Sequence, residues 1–107
     1  MGLGQSHPKD EFNEAKRLMS NQQLRSAMSA FEALKTDPQL GVYAYFFKGL
    51  CYSKNADYKR AIDNWEQIEK KFPNWPKQDE VFYWLILAYF ELNEYTAAFD
   101  YLDRYNA

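Results

Sequence analysis

GLCYSKNADYKRAIDNWEQI, residues 49–68, decides the fold. Its second half sets Tyr58, Ala61, Ile62, Trp65 and Ile68 at i, i+3, i+4, i+7 and i+10, one apolar stripe of an α-helix. Its first half closes an earlier helix that carries Gly49 and Tyr52. Between the two lies Asn55-Ala56-Asp57, whose Asn and Asp side chains suit a turn because they can accept from the free N–H groups opening the next helix. The stretch therefore reads as two helices joined by a short turn. Ala61 is small enough for a neighbouring helix to approach closely.

Outward from this unit the same template occurs twice more. Upstream it is Leu24, Ala27, Met28, Phe31 and Leu34; downstream it is Tyr95, Ala98, Phe99, Leu102 and Tyr105. The alanines Ala27 and Ala61 are 34 residues apart, and Ala61 and Ala98 are 37 apart. Leu18 and Tyr89 take the place of Tyr52, while Ala15 and Ile86 take that of Gly49. The corresponding turns are Asn21-Gln22-Gln23 and Asn93-Glu94. Proline cannot continue a helix interior, so Asp37-Pro38, Phe72-Pro73 and Pro76 separate the units.

Six helices are predicted, over about 9–21, 23–36, 40–54, 57–72, 77–93 and 95–106, with loops short enough to force antiparallel neighbours. Residues 42–47 and 81–90 are aromatic enough for strands to be weighed. Neither alternates polar and apolar, and a clear helix follows each at fixed spacing. The expected fold is all-α: three antiparallel hairpins in one domain at 9–107, with repeats at about 9–38, 42–73 and 77–106, behind a flexible arm at 1–8. Ala27, Ala61 and Ala98 should lie at close helix contacts. Tyr52, Tyr58, Trp65 and Ile68 should be largely buried, and Trp75, between Pro73 and Pro76, partly exposed.

Composition bounds the function. The 107 residues are 47% hydrophobic and 26% charged with net charge −2, which describes one globular domain rather than a disordered tail. Nothing in that balance supplies the basic stripe that nucleic acid requires; Lys16-Arg17 and Lys70-Lys71 are too sparse. Cys51 is the lone cysteine, expected as a small buried hydrophobe. The longest apolar run, residues 81–90, is half of the roughly 20 residues a membrane-spanning helix needs. No intact signal peptide is legible; Leu3-Gly4-Gln5-Ser6 reads either as the remnant of a cleaved one or as a natural start.

The three units resemble the tetratricopeptide repeat, in which a small residue, an aromatic, an alanine, a large apolar residue and a proline recur in order. The second unit carries all five, as Gly49, Tyr52, Ala61, Trp65 and Pro73. The third carries Trp84, Tyr89, Ala98 and Leu102, with Ile86 where the family prefers a small residue. The first carries Ala15, Leu18, Ala27 and Phe31. The run from Phe72-Pro73-Asn74-Trp75-Pro76 through Trp84, Tyr89 and Asn93-Glu94-Tyr95 is similar to the longer repeats of bacterial cell-envelope proteins. Those include the periplasmic partner of the Tol–Pal system and the lipoprotein of the outer-membrane assembly machine. The chain departs from them in showing neither an N-terminal coiled coil nor a lipid-bearing cysteine at its start.

That resemblance implies a stack of hairpins whose concave face is lined by the first helix of each unit. On this sequence the lining residues are Phe12, Lys16 and Met19; Tyr43, Phe46 and Leu50; and Tyr83, Leu87 and Phe90, with Ser53 and Glu80 at further groove positions. It implies a protein-interaction and scaffolding module that receives a peptide or partner protein in an apolar, aromatic groove, in a bacterial periplasm or cell envelope; a cytoplasmic location is the alternative. A second reading uses the same apolar surface for homo-oligomeric self-assembly. Residues 81–90 are apolar on every side, and such a helix needs cover all round. The family's carboxylate-gripping clamp would need polar residues where this chain has Phe12, Phe47 and Trp84.

No enzyme is expected. His7 stands alone in the arm. Asp100 and Asp103 lie on the polar face of a helix, and Asp10, Glu11, Asp79 and Glu80 sit in first helical turns, where the dipole favours negative charge. No glycine-rich phosphate loop, metal-ligand cluster or cofactor motif is present.

Overall fold

A computed structural model describes residues 7–107; Leu3-Gly4-Gln5-Ser6 and their two readings lie outside those residues. Six helices follow in order: α1 (Pro8–Ser20), α2 (Leu24–Glu32), α3 (Gly41–Lys54), α4 (Tyr58–Lys71), α5 (Gln78–Glu91) and α6 (Tyr95–Tyr105). The described residues contain no strand. The residue runs weighed as strands are the bodies of α3 and α5. Helices pair as α1–α2, α3–α4 and α5–α6, and the pairs stack through α2 on α3 and α4 on α5. The stack is elongated, 54 × 29 × 16 Å, as a repeat in which each unit meets only its neighbours must be.

The hairpin turns share one backbone device. Gln22, Ala56 and Asn93 are left-handed, with φ of 64°, 60° and 60°. After each, an N–H turns back to the helix just ended: Gln23 to the Leu18 carbonyl, Asp57 to Tyr52 and Glu94 to Tyr89, each at 2.9 Å. This is the Schellman closure, which satisfies carbonyls that the helix end would otherwise leave open. The side-chain caps expected from Asn and Asp reduce to one. Asp57 accepts from the Arg60 N–H at 3.3 Å, whereas Gln23 and Glu94, at the equivalent place, cap nothing.

Two boundaries differ from expectation. Helix α1 opens at Pro8, inside the stretch expected as an arm, because proline lacks the N–H that a first helical residue cannot use. Helix α2 stops at Glu32 rather than near 36. Residues 33–36 form turns with three-residue closures, such as Leu34 N–H to the Phe31 carbonyl at 2.9 Å. Pro38 disfavours helical backbone at Asp37, so the helix unwinds ahead of it. Asp37 Oδ1 then accepts from Gln39 N–H (2.9 Å) and Leu40 N–H (2.8 Å), aiming the chain into α3.

The core falls into two clusters. One joins Phe12, Ala15, Ala27, Phe31, Leu34, Ala44 and Cys51; the other joins Val42, Ala61, Ile62, Trp65, Ile68, Val81, Leu85 and Ala88. Ala27, Ala61 and Ala98 are fully buried. Gly49 marks the closest approach of α3 to α4: a Cβ there would lie 2.2 Å from Trp65 Nε1. The indole fills that space and donates to the Phe46 carbonyl at 3.1 Å. Tyr52 and Tyr58 are only half-buried, against expectation. Both flank the hairpin turn at the rim of the core, where a phenol can keep its polar end in water. Burial pushes the Cys51 thiol up to about 11, so it is an inert core residue rather than a nucleophile.

Candidate functional site

Helices α1, α3 and α5 hold equivalent places in the three hairpins, and the expected groove residues grade along them from covered to open. Phe12 is 9% exposed. Its ring meets Phe31 at 5.9 Å, Tyr43 at 6.2 Å and Phe47 at 5.5 Å, all edge-on. Phe12, expected to line the groove, is thus largely covered by these rings. Helix α1 also touches α3, so its aromatic closes the first core cluster. Lys16, Met19, Tyr43, Phe46 and Leu50 are half-buried. Tyr83, Leu87 and Phe90 are open, at 48%, 41% and 36% exposure. They stand at i, i+4 and i+7, one row along α5.

A cleft of about 250 Å³ lies where α1, α3 and the start of α5 meet. Phe12, Tyr43, Phe46, Phe47 and Trp75 form its apolar surface, and Lys16, Lys77 and Glu80 its charged edge. Lys16 Nζ lies 5.0 Å from the Phe12 ring centre, within cation–π range. Trp75, expected in an inter-repeat turn, also lines this cleft. The Pro73–Pro76 segment folds it inward, against Tyr43 (5.6 Å) and Phe46 (6.3 Å). The groove is therefore partly filled by the chain itself beside the second unit and open beside the third. Phe47, at a clamp position of the family, instead stacks on Phe31 at 5.6 Å.

A convergent polar cluster stands away from the groove. Glu66 Oε2 accepts from the Tyr89 hydroxyl at 2.7 Å and the Tyr101 hydroxyl at 2.9 Å. The two rings stack at 5.8 Å. Burial first, then the bond to Glu66, holds both phenols above their ordinary pKa. A phenol held protonated beside a carboxylate is a structural donor, not a base. The cluster ties α4 to α5 and α6, assisted by the Arg104–Glu69 ion pair. His7, Asp100 and Asp103 are exposed. Among the described residues no group of three or more His, Cys, Asp or Glu could hold a metal ion. None of the described helices is long and apolar enough to cross a membrane.

The arrangement offers an aromatic surface along α1, α3 and α5. No curated protein matches the chain. The family of outer membrane lipoproteins called YfiO matches residues 38–107, from the end of the first hairpin through both later ones. Such repeats act through protein contacts in the cell envelope. Three stacked hairpins of tetratricopeptide type and a match over most of the chain lead to one conclusion: this protein belongs to the YfiO family of outer membrane lipoproteins.

Proposed function

We propose that the domain is a non-catalytic interaction module of the bacterial periplasm or outer envelope, receiving a peptide or partner helix along its aromatic groove. The observation that carries this reading is the open row of Tyr83, Leu87 and Phe90 on a helix apolar on every side. Monomeric proteins rarely leave such a row uncovered unless something binds it. Aromatic side chains give large contact area at low entropic cost, and the Phe46–Trp75 cleft extends the row toward Lys16 and Glu80. Phe12 lines that cleft, and Met19 and Leu50, half-buried further along α1 and α3, extend the groove.

A photo-crosslinking amino acid at position 83 or 87, with position 59 on the outer face as control, tests the reading in cell-envelope extract. Adducts with another protein are expected from 83 and 87 and not from 59. Adducts from 59 alone would contradict it. Adducts of twice the chain's mass from 83 and 87 would replace the partner by a second copy, the self-assembly alternative.

A further inference from the structure

The turns of the first two hairpins enclose a hollow of about 600 Å³. Its walls are the α1–α2 turn with the start of α2, and the α3–α4 turn with the start of α4. It lies between two hairpins, not at an end of the stack, and shares no lining residue with the aromatic cleft. Donors dominate its surface: the guanidinium groups of Arg25 and Arg60, the amides of Gln22, Gln23 and Asn55, and the Tyr52 hydroxyl. Among the described residues, only Arg60 of these side chains has a hydrogen-bond partner.

That partner is Asp57, which also lines the hollow. Its Oδ2 accepts from Arg60 Nη1 at 2.8 Å and its Oδ1 from the Arg60 backbone N–H at 3.3 Å. The Asp57 charge is thus compensated before any ligand arrives, and Arg60 keeps further guanidinium N–H groups. Arg25 has no counter-ion among the described residues. The hollow is therefore positive in a chain of net charge −2.

The junction between the second and third hairpins shows that these donors are not a by-product of the repeat. The places of Gln22, Asn55 and Arg60 are taken there by Ala56, Leu92 and Ala97. Tyr89, in the place of Tyr52, spends its hydroxyl on Glu66 at 2.7 Å. The counterpart of Glu66 is Glu32, which is held by Lys35 and Lys48 instead. Lys48 takes the acceptor that the repeat would offer Tyr52, and the Tyr52 hydroxyl is left to the hollow.

We infer that this hollow is a binding site for a phosphoryl group, carried by a small soluble molecule or by a lipid headgroup. A phosphoryl group presents three strong acceptor oxygens and a full negative charge. Arginine forks match such oxygens in pairs, and the phenol and amides take those that remain. A neutral ligand would leave Arg25 without a counter-charge, and a carboxylate, with fewer oxygens, would leave donors of one wall unused.

The probe is glycerol phosphate, titrated into the whole protein at constant ionic strength and followed by backbone amide NMR signals. Saturable shifts confined to the two turns and the starts of α2 and α4 are expected. The dissociation constant should be millimolar, because both arginines are exposed. Arg25→Gln should weaken binding about tenfold, as the loss of one charge-assisted pair, and Tyr52→Phe should weaken it less. Lys59→Gln removes the same charge outside the hollow and should leave binding unchanged. Arg25 and Lys59 are both exposed, so their comparison does not depend on folding. Phosphatidylglycerol vesicles form the second arm. Co-sedimentation that Arg25→Gln removes and glycerol phosphate displaces assigns the phosphoryl group to a lipid headgroup; saturable shifts without co-sedimentation assign it to a soluble ligand. The proposal is overturned by shifts that do not saturate, by equal weakening in Arg25→Gln and Lys59→Gln, or by acetate saturating the same signals as tightly.

Discussion

Trp65→Ala should cost about 3–5 kcal/mol of folding stability, the range for emptying a fully buried large aromatic site. The indole is 0% exposed and occupies the space that Gly49 leaves open between α3 and α4. It packs near Trp84 at 6.1 Å, so it also joins the second hairpin to the third. Alanine removes those contacts and the Nε1–H bond to the Phe46 carbonyl together. Collapse around the void is limited, because two helices are already at their closest approach there. Urea denaturation read by circular dichroism gives the number, with an unchanged slope confirming that stability rather than compactness has moved. A loss below about 1 kcal/mol would mean that the second hairpin does not pack through this stripe.

Phe12→Ala should cost about 3 kcal/mol, near the lower end for a buried aromatic, since its ring keeps a narrow solvent edge. Three aromatic neighbours within about 6 Å would lose their partner, and aromatic pairs stabilise by about 0.5–1.5 kcal/mol beyond area burial. Tyr83→Ala, at the same repeat position two units on, should cost much less because that ring is half open. Parallel urea titrations of the two variants measure the gap. Equal losses would mean that the gradient of burial along the groove does not exist.

The hairpins and their order are legible because each depends on local spacing. Five apolar positions per second helix, a small residue opposite them and prolines between units are enough to place six helices. What is not legible depends on contacts distant in sequence. Phe12 shares a repeat position with Phe46 and Tyr83, but α1 leans onto α3, so there the same position becomes core. Trp75 follows two residues after one proline and precedes another, which signals a turn; that the turn folds the ring onto Tyr43 and Phe46 is a tertiary fact. The Glu66 cluster spans α4, α5 and α6. Its only trace in the sequence is an acid recurring in phase at Glu32, Glu66 and Asp103, which reads as a solvated face until its donors are seen.

The groove is the centre of the functional reading, and its open part is the row on α5. The most direct measurement immobilises the domain and the Tyr83→Ala/Leu87→Ala variant side by side, passes cell-envelope extract over both, and compares the proteins retained. Melting curves of both, beside that of Trp65→Ala, show whether the variant is folded. The variant should melt close to the native domain and lose a retained protein that the native domain holds. If both retain the same proteins in the same amounts, or if the variant melts as low as Trp65→Ala, the row on α5 is not a binding surface.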